Sequence, residues 1–356
     1  MTEQRIARLR SRMRKHRLDA LIVTAPHHIR YLTNFTGTNA LCVIRRRSGI
    51  LYTDTRYERQ AAAEVRGVSC SITTSDLVET AAKRVAASRC SCLGFEAGSI
   101  TYDQYKTLRK HARGVLLVQT TGFIEHLTQV KEVREIGFIK RAVSISEEMF
   151  EKVLDQIRPG VRELDISAEI SYLHKRLGGD RDAFEPIVAS GRRSALPHAR
   201  ASRKQIRRGD LVVLDFGCCV GGYHSDLTRT VAVGKSSEDA RRMHAAVLRA
   251  QTKALESTHS CMPAKELDQI ARSEIAAAGF GKYFLHSLGH GLGLQLHEPP
   301  KISPSSREEL QAGSVVTIEP GVYVPTVGGV RIEDDVLITD RGCELLSHIG
   351  RELRIV

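Results

Sequence analysis

No stretch of this 356-residue chain approaches the roughly 20 consecutive apolar residues that a membrane-crossing helix needs. Its apolar runs, such as Ala20–Val23 and Leu211–Leu214, have the length of strands. Met1–Arg17 lacks the apolar stretch of a signal peptide, so export is not expected. Eight cysteines lie scattered, and neither Cys90-Ser-Cys92 nor Cys218-Cys219 has a partner pair at zinc-site spacing. They read as packing thiols in a reducing, cytoplasmic protein rather than a disulfide framework. Low-complexity segments and short-period repeats are also missing. These absences exclude a membrane span, a small disulfide scaffold and a zinc ribbon.

What is present is the balance of a soluble globular protein. Apolar residues make up 42% and charged residues 26%, and the length is comfortable for two domains. The net charge of +12 raises the question of an anionic partner. Seven Lys or Arg residues fall in Met1–Arg17 and seven more in Arg192–Arg208. Ile6, Leu9 and Met13 recur at helical spacing in the first segment, which predicts an amphipathic helix with a solvated basic face. Arg192–Arg208 reads as a solvated loop. On that weighing neither nucleic acid nor a membrane is expected as a partner.

Up to about Gln129, short apolar strands alternate with amphipathic helices. Ala20–Thr24, Ala40–Ile44, Ile50–Thr53, Cys92–Phe95 and Val115–Gln119 are predicted strands. Arg56–Val65, Asp76–Ala87 and Asp103–Ala112 are predicted helices. Such alternation predicts an α/β domain over residues 1–129. It contains neither a phosphate loop nor a Gly-x-Gly-x-x-Gly, so its sequence declares no chemistry. The second domain, residues 130–356, opens with helices at Val133–Gln156 and Leu164–Leu177, parted by Arg158-Pro159-Gly160. Strands dominate from Leu211, with helices at Ser237–Thr258 and Ala264–Ala278, which makes it α+β.

Every candidate catalytic residue falls in this second domain. Asp215 closes the apolar run Leu211-Val-Val-Leu, where an unpaired carboxylate is costly. Asp226 lies in Tyr223–Thr230, a predicted facing strand, and Gly217–Gly222 can make the hairpin connection. Two converging buried acids repel unless they share a proton or bind a cation, which points to a metal. His286, His290 and His297 fall within twelve residues, with glycines packed around the middle one as if the backbone approached a ligand. Glu319 ends the strand Val315–Ile318 before Pro320-Gly321, and Arg331 and Glu333 share one face of an alternating segment. Four carboxylates and a histidine suit two divalent metals, with manganese favoured by the hard oxygen donors and cobalt, iron or zinc as alternatives.

Asp215, Asp226, His290, Glu319 and Glu333 resemble the five metal ligands of the aminopeptidase P, prolidase and methionine aminopeptidase superfamily. The order, the ten residues between the aspartates and the Ser-Asp-x-Thr-Arg-Thr and Gly-His-Gly-x-Gly-Leu contexts all agree. The resemblance implies a pita-bread catalytic domain. Tyr31–Gly37 and Asp54–Tyr57 are similar to the creatinase-type N-terminal domain that methionine aminopeptidases lack. It further implies hydrolysis of the bond between an N-terminal residue and proline by a metal-bridging hydroxide, with Xaa-Pro peptides as substrates and a homodimeric assembly. Glu319 then shuttles the proton. By the same resemblance His198 and His297 match catalytic and substrate-binding positions of the family and His286 one near the substrate, and Arg331 is expected to help position the substrate. The opposing expectation is a non-catalytic scaffold or nucleic-acid-binding relative of the same fold, which the complete ligand set disfavours.

Overall fold

The computed structural model describes Thr2–Val356, so Met1, where the predicted first helix begins, lies outside the described residues. The chain forms two compact units that divide between Thr128 and Gln129.

The first unit opens with α1 (Thr2–Lys15), β1 (Ala20–Val23), α2 (Pro26–Thr33), β2 (Ala40–Arg45) and β3 (Gly49–Thr53). It continues with α3 (Glu58–Glu64), β4 (Ser69–Ile72), α4 (Leu77–Ala86), β5 (Cys92–Glu96), α5 (Tyr102–His111), β6 (Leu116–Thr120) and α6 (Glu125–Thr128). The strands make one sheet in the order β4-β3-β2-β1-β5-β6. Only β2 runs against the others, through its antiparallel pairings with β1 and β3. Val78, Ala81 and Val85 of α4 and Leu108 of α5 bury their apolar stripe on Ile22, Val43 and Leu93 of the sheet. On α1 the buried residues include Ile6, Leu9 and Met13, as their spacing predicts.

Three elements of the first unit had no prediction, α2, β4 and the single turn α6. α2 is a short helix entered through Pro26 and closed by Asn34 in the left-handed region at φ 65°. β4 is a polar edge strand, Ser-Cys-Ser-Ile, half exposed along its length, so it shows no apolar rhythm.

The second unit begins with α7 (Val133–Leu154), α8 (Glu163–Arg176), β7 (Arg181–Asp182) and β8 (Ile187–Ser190). There follow β9 (Leu211–Phe216), β10 (Cys218–Val220), β11 (Tyr223–His224) and β12 (Leu227–Ala232), then α9 (Glu238–Ser257) and α10 (Ala264–Ala277). The chain ends with β13 (Gly289–Gly291), β14 (Glu298–Ile302), β15 (Val315–Ile318), β16 (Gly321–Val324), β17 (Gly328–Arg331), β18 (Asp334–Thr339), β19 (Gly342–Leu345) and β20 (Arg354–Ile355). Two sheets, β20-β12-β9-β8 and β14-β13-β15-β18-β19, carry the site, beside the ribbon β16-β17. Met243, Val247, Leu267 and Ala271 of α9 and α10 pack against Val316, Ile318, Val336 and Ile338 of the second sheet.

The segment Tyr223–Thr230, predicted as one strand, is two. β11 pairs with β10 through the Gly221-Gly222 turn, whereas β12 pairs with β9, Thr228 opposite Asp215. The chain changes sheets at Gly217, where a Cβ would stand 1.9 Å from the Ser225 carbonyl oxygen. Only glycine lets the two backbones approach so closely.

Candidate active site

Asp215 sits on β9 and Asp226 just ahead of β12, so the sheet change at Gly217 brings both carboxylates to one place. His290 is the centre of β13, Glu319 follows β15, and Glu333 bridges to Thr228 beyond β17. The glycines flanking His290 serve the sheet rather than a ligand. A Cβ on Gly289 would stand 2.0 Å from the Thr317 carbonyl oxygen, and one on Gly291 2.2 Å from that of Pro299.

One ligand atom each of Asp226, His290 and Glu333 lie within 4.8 Å of one another, the arrangement a metal ion requires. His290 Nε2 is 3.6 Å from Asp226 Oδ2 and 3.6 Å from Glu319 Oε1. Its Nδ1 donates to the Gly291 carbonyl at 3.0 Å, which leaves the Nε2 lone pair facing the carboxylates. Burial, then the nearby His297, lowers the His290 pKa to about 4, so the ring is neutral and able to ligate. Asp215 lies beside this group. Its Oδ2 is bonded to Arg331, while its Oδ1 is buried without a partner.

The electrostatics ask for a cation. Burial, then Glu333 and Asp215, raises Asp226 well above the carboxylate range. Burial and Glu333 do the same to Glu319, and burial with Asp215 pushes Glu333 up to about 8. Like charges in a low-dielectric space cannot all ionise unless positive charge joins them. Arg331 is one such charge, and it is committed to Asp215. Four oxygen donors, one neutral imidazole and an orphaned carboxylate oxygen therefore fit divalent metal ions.

These groups line a cavity of about 710 Å³. Phe184, Ile187, Pro197, Leu296 and Pro299 give it an apolar wall, and His198 and His297 stand exposed at its rim. The rings of His290 and His297 meet edge to face at 4.3 Å. His286 and Arg331 also line the cavity, with their polar atoms already engaged by protein. His286 Nδ1 donates to the Ser287 carbonyl at 2.8 Å, and its Nε2 lies 2.9 Å from the Tyr323 hydroxyl. Arg331 reaches Tyr323 at 2.8 Å, Thr228 at 3.0 Å and the Pro197 carbonyl at 3.2 Å.

Sequence reasoning passed over four contributors. Thr228 donates to Glu333 Oε2 at 2.5 Å, Asp335 accepts the Asp226 N–H at 3.0 Å, and Tyr323 links Arg331 to His286. Glu163, fully buried on α8, bonds both ends of the loop that carries His198. The two-residue step from Asp226 to Thr228 was a usable signal. Glu163 and Tyr323 act across the fold, and no local pattern marks them.

The profile described as metallopeptidase family M24 matches residues 137–340, and that of the creatinase/prolidase N-terminal domain matches residues 5–130. The chain belongs to metallopeptidase family M24. Its fold is a pita-bread catalytic domain preceded by a creatinase-type domain, as the sequence resemblance implies. This M24 chain is 39% identical to an uncharacterised peptidase of Bacillus subtilis over 352 residues, covering 99% of this chain and 100% of the relative. A structure of an Xaa-Pro dipeptidase from Bacillus anthracis superposes with a TM-score of 0.97 at 38% identity, covering 100% of both chains. An X-Pro aminopeptidase structure from Thermotoga maritima gives a TM-score of 0.90 at 34% identity, covering 97% of this chain and 100% of that one. Family membership carries with it dependence on divalent metal. Among the described residues, no helix is long and apolar enough to cross a membrane.

Proposed function

We propose that this M24 peptidase hydrolyses the peptide bond between an N-terminal residue and proline. The observation that carries the reading is the convergence of Asp226, His290 and Glu333 in a buried, under-compensated acidic cavity. The names of the relatives, Xaa-Pro dipeptidase and X-Pro aminopeptidase, support the bond type. In this reading residues 130–356 carry the chemistry and residues 1–129 form the N-terminal domain.

Asp215, Asp226, His290, Glu319 and Glu333 would hold two divalent ions, manganese foremost on donor chemistry, with cobalt, zinc or iron able to replace it. Such ions, when bound, make water nucleophilic near neutral pH and polarise a carbonyl. The residues around them supply the rest. The nitrogen that leaves is the tertiary imide nitrogen of proline, which departs only when protonated. Glu319, held by Thr317 at 3.4 Å beside His290, takes the proton of the attacking water and returns it to that nitrogen. His198 and His297, exposed at the rim, donate to the developing oxyanion and to the proline side of the scissile bond. The apolar wall of Phe184, Leu296 and Pro299 suits a pyrrolidine ring. His286 and Arg331 act on the substrate through Tyr323, Pro197 and Asp215, because their own polar atoms are bonded there.

A homodimer, implied by the resemblance, belongs to the same reading. A cytoplasmic setting, expected from the scattered cysteines, belongs to it as well, and none of the described cysteines is joined in a disulfide. The test is hydrolysis of Ala-Pro and Ala-Pro-Ala beside Ala-Ala and Ala-Ala-Ala, with manganese present. Cleavage confined to the proline peptides supports the reading, and the favoured length separates dipeptidase from aminopeptidase. Equal cleavage of the alanine peptides, or none of any, removes it.

A further inference from the structure

The charge of this chain is concentrated in its first unit. Residues 1–128 hold 21 Lys and Arg against 10 Asp and Glu, so +11 of the total +12 resides there. The second unit is nearly neutral. In sequence the basic residues look dispersed. The fold collects them.

Five strands of the first sheet run parallel, and the turn between β2 and β3 lies at their N-terminal edge, because Ala20 pairs with Arg45. Exposed arginines stand in each segment that reaches this edge. Arg17 precedes β1, Arg46 and Arg47 form the β2–β3 turn, Arg89 precedes β5 and Arg113 precedes β6. The segments adjoin one another. Asp19 pairs with Arg46 at 2.9 Å and accepts the Ser91 and Cys92 N–H groups, and the Leu116 N–H bonds the Ser91 carbonyl. The last turns of α1, α4 and α5 are basic as well.

Helix dipoles favour cations at those three helix ends, and Arg113 donates to the Lys110 carbonyl of α5 at 3.3 Å, but Arg46 and Arg47 in the β2–β3 turn have no such reason. Asp19 is the one carboxylate in Arg14–Asp19, Arg45–Ser48, Ala87–Ser91 and Ala112–Val115. Asp54, Asp76, Glu96 and Asp103 all lie toward the opposite edge, after a strand or at the start of a helix. The domain is polarised, and the row carries more guanidinium groups than Asp19, which pairs with Arg46, and Glu79, which pairs with Lys83, can offset. Like charges held together cost stability, and an anionic partner offsets that cost.

We propose that this edge docks the phosphate backbone of nucleic acid without sequence preference. Arginine, which predominates in the row, binds phosphate in a bidentate fork. From the β2–β3 turn to β6 the row crosses three to four strand spacings, about 14–19 Å, the rise of some four to six base pairs. An anionic membrane is disfavoured because, among the described residues, Leu116 is the one large apolar side chain exposed beside the arginines, too little to enter a lipid interface. A second copy presenting the same edge is excluded by repulsion.

The proposal is independent of the peptidase reading, and its test uses the full chain. A fluorescent 20-base-pair duplex of mixed sequence is titrated at several salt concentrations, beside vesicles containing phosphatidylserine. With four to five phosphates neutralised, log K should fall with log salt at a slope of about −4. The variant R47E/R89E/R113E should lose binding at least about 100-fold and keep a slope of only about −1 to −2. The milder R47Q/R113Q, should the first variant melt early, should weaken binding and reduce the slope by about 2. R249E/K265E/K282E, with the same net charge change on exposed positions of the second unit, should bind like the wild type. No duplex binding at low salt, equal losses in both triple variants, or binding to vesicles alone would each overturn the proposal.

Discussion

Arg331 holds one oxygen of Asp215 and leaves the other bare. The pair is buried, with Arg331 3% and Asp215 8% exposed, and Asp215 Oδ1 has no partner. A carboxylate so divided is neutralised on one side and still presents a donor to a cation on the other. The same guanidinium reaches the Pro197 carbonyl beside His198 and the Tyr323 hydroxyl beside His286. Arg331 thus joins the acidic cluster to the loop and strand that shape the cavity.

Replacing Arg331 by Met should therefore leave Asp215 in a buried acid cluster without the cation that pairs it. Breaking a buried pair from one side costs about 3–5 kcal/mol. Urea unfolding of chelator-treated protein should show that loss, and a stability equal to wild type would contradict the pairing.

Thr228 stands one layer behind the candidate ligands, donating to Glu333 and accepting from Arg331 Nε. Thr228→Val keeps the shape and removes both bonds. Metal affinity should fall about 10–100-fold, as for partners of ligating groups in general. Isothermal titration with manganese measures it, and an unchanged affinity would separate Thr228 from the site.

The Glu163 carboxylate accepts from Ser190, Arg193 and Ser202, at distances of 2.7–3.1 Å, and so staples both ends of the loop that bears His198. Glu163→Gln should reduce kcat/KM by about 1–2 kcal/mol, roughly ten-fold. It should also speed tryptic cleavage between Arg192 and Arg203. In a His198→Ala background the substitution should cost little more. Full additivity of the two losses would show that Glu163 acts elsewhere.

Local pattern made much of this molecule legible. Ile6, Leu9 and Met13 marked α1, and apolar runs flanked by turn residues marked β1, β2, β3, β5 and β6 to within a residue or two. The site was legible because its residues sit in short motifs with glycine, proline or paired acids around them. What escaped depended on contacts between distant segments. β4 is an edge strand with polar residues, and α2 is too short for a period to show. Tyr323 and Glu163 acquire roles only when β16 meets β17 and α8 meets the loop after β8. The basic edge escaped for the same reason, since strand order alone brings Arg17, Arg47, Arg89 and Arg113 into one row.

His244 on α9 supplies a pH dependence away from the site. It is 5% exposed, its Nε2 has no partner, and burial lowers its pKa to about 4. Its folded pKa lies below the ordinary value of 6.5, so between these pH values the unfolded chain binds the extra proton. Its contribution is therefore present above pH 6.5 and lost as pH falls towards 4, by roughly 3 kcal/mol. His244→Leu should flatten that part of the stability profile in urea melts from pH 7 to 4. An unchanged slope would assign the acid sensitivity to other groups.

The central claim, metal-dependent cleavage before proline by the five-residue cluster, is tested most directly by one titration. Protein stripped with chelator is supplied with increasing manganese while Ala-Pro hydrolysis and bound metal are followed together. Hydrolysis should be absent at first and saturate as two ions bind per chain, while Asp226→Ala should neither retain the metal nor recover. Full hydrolysis in the presence of chelator, or in Asp226→Ala, would contradict the account.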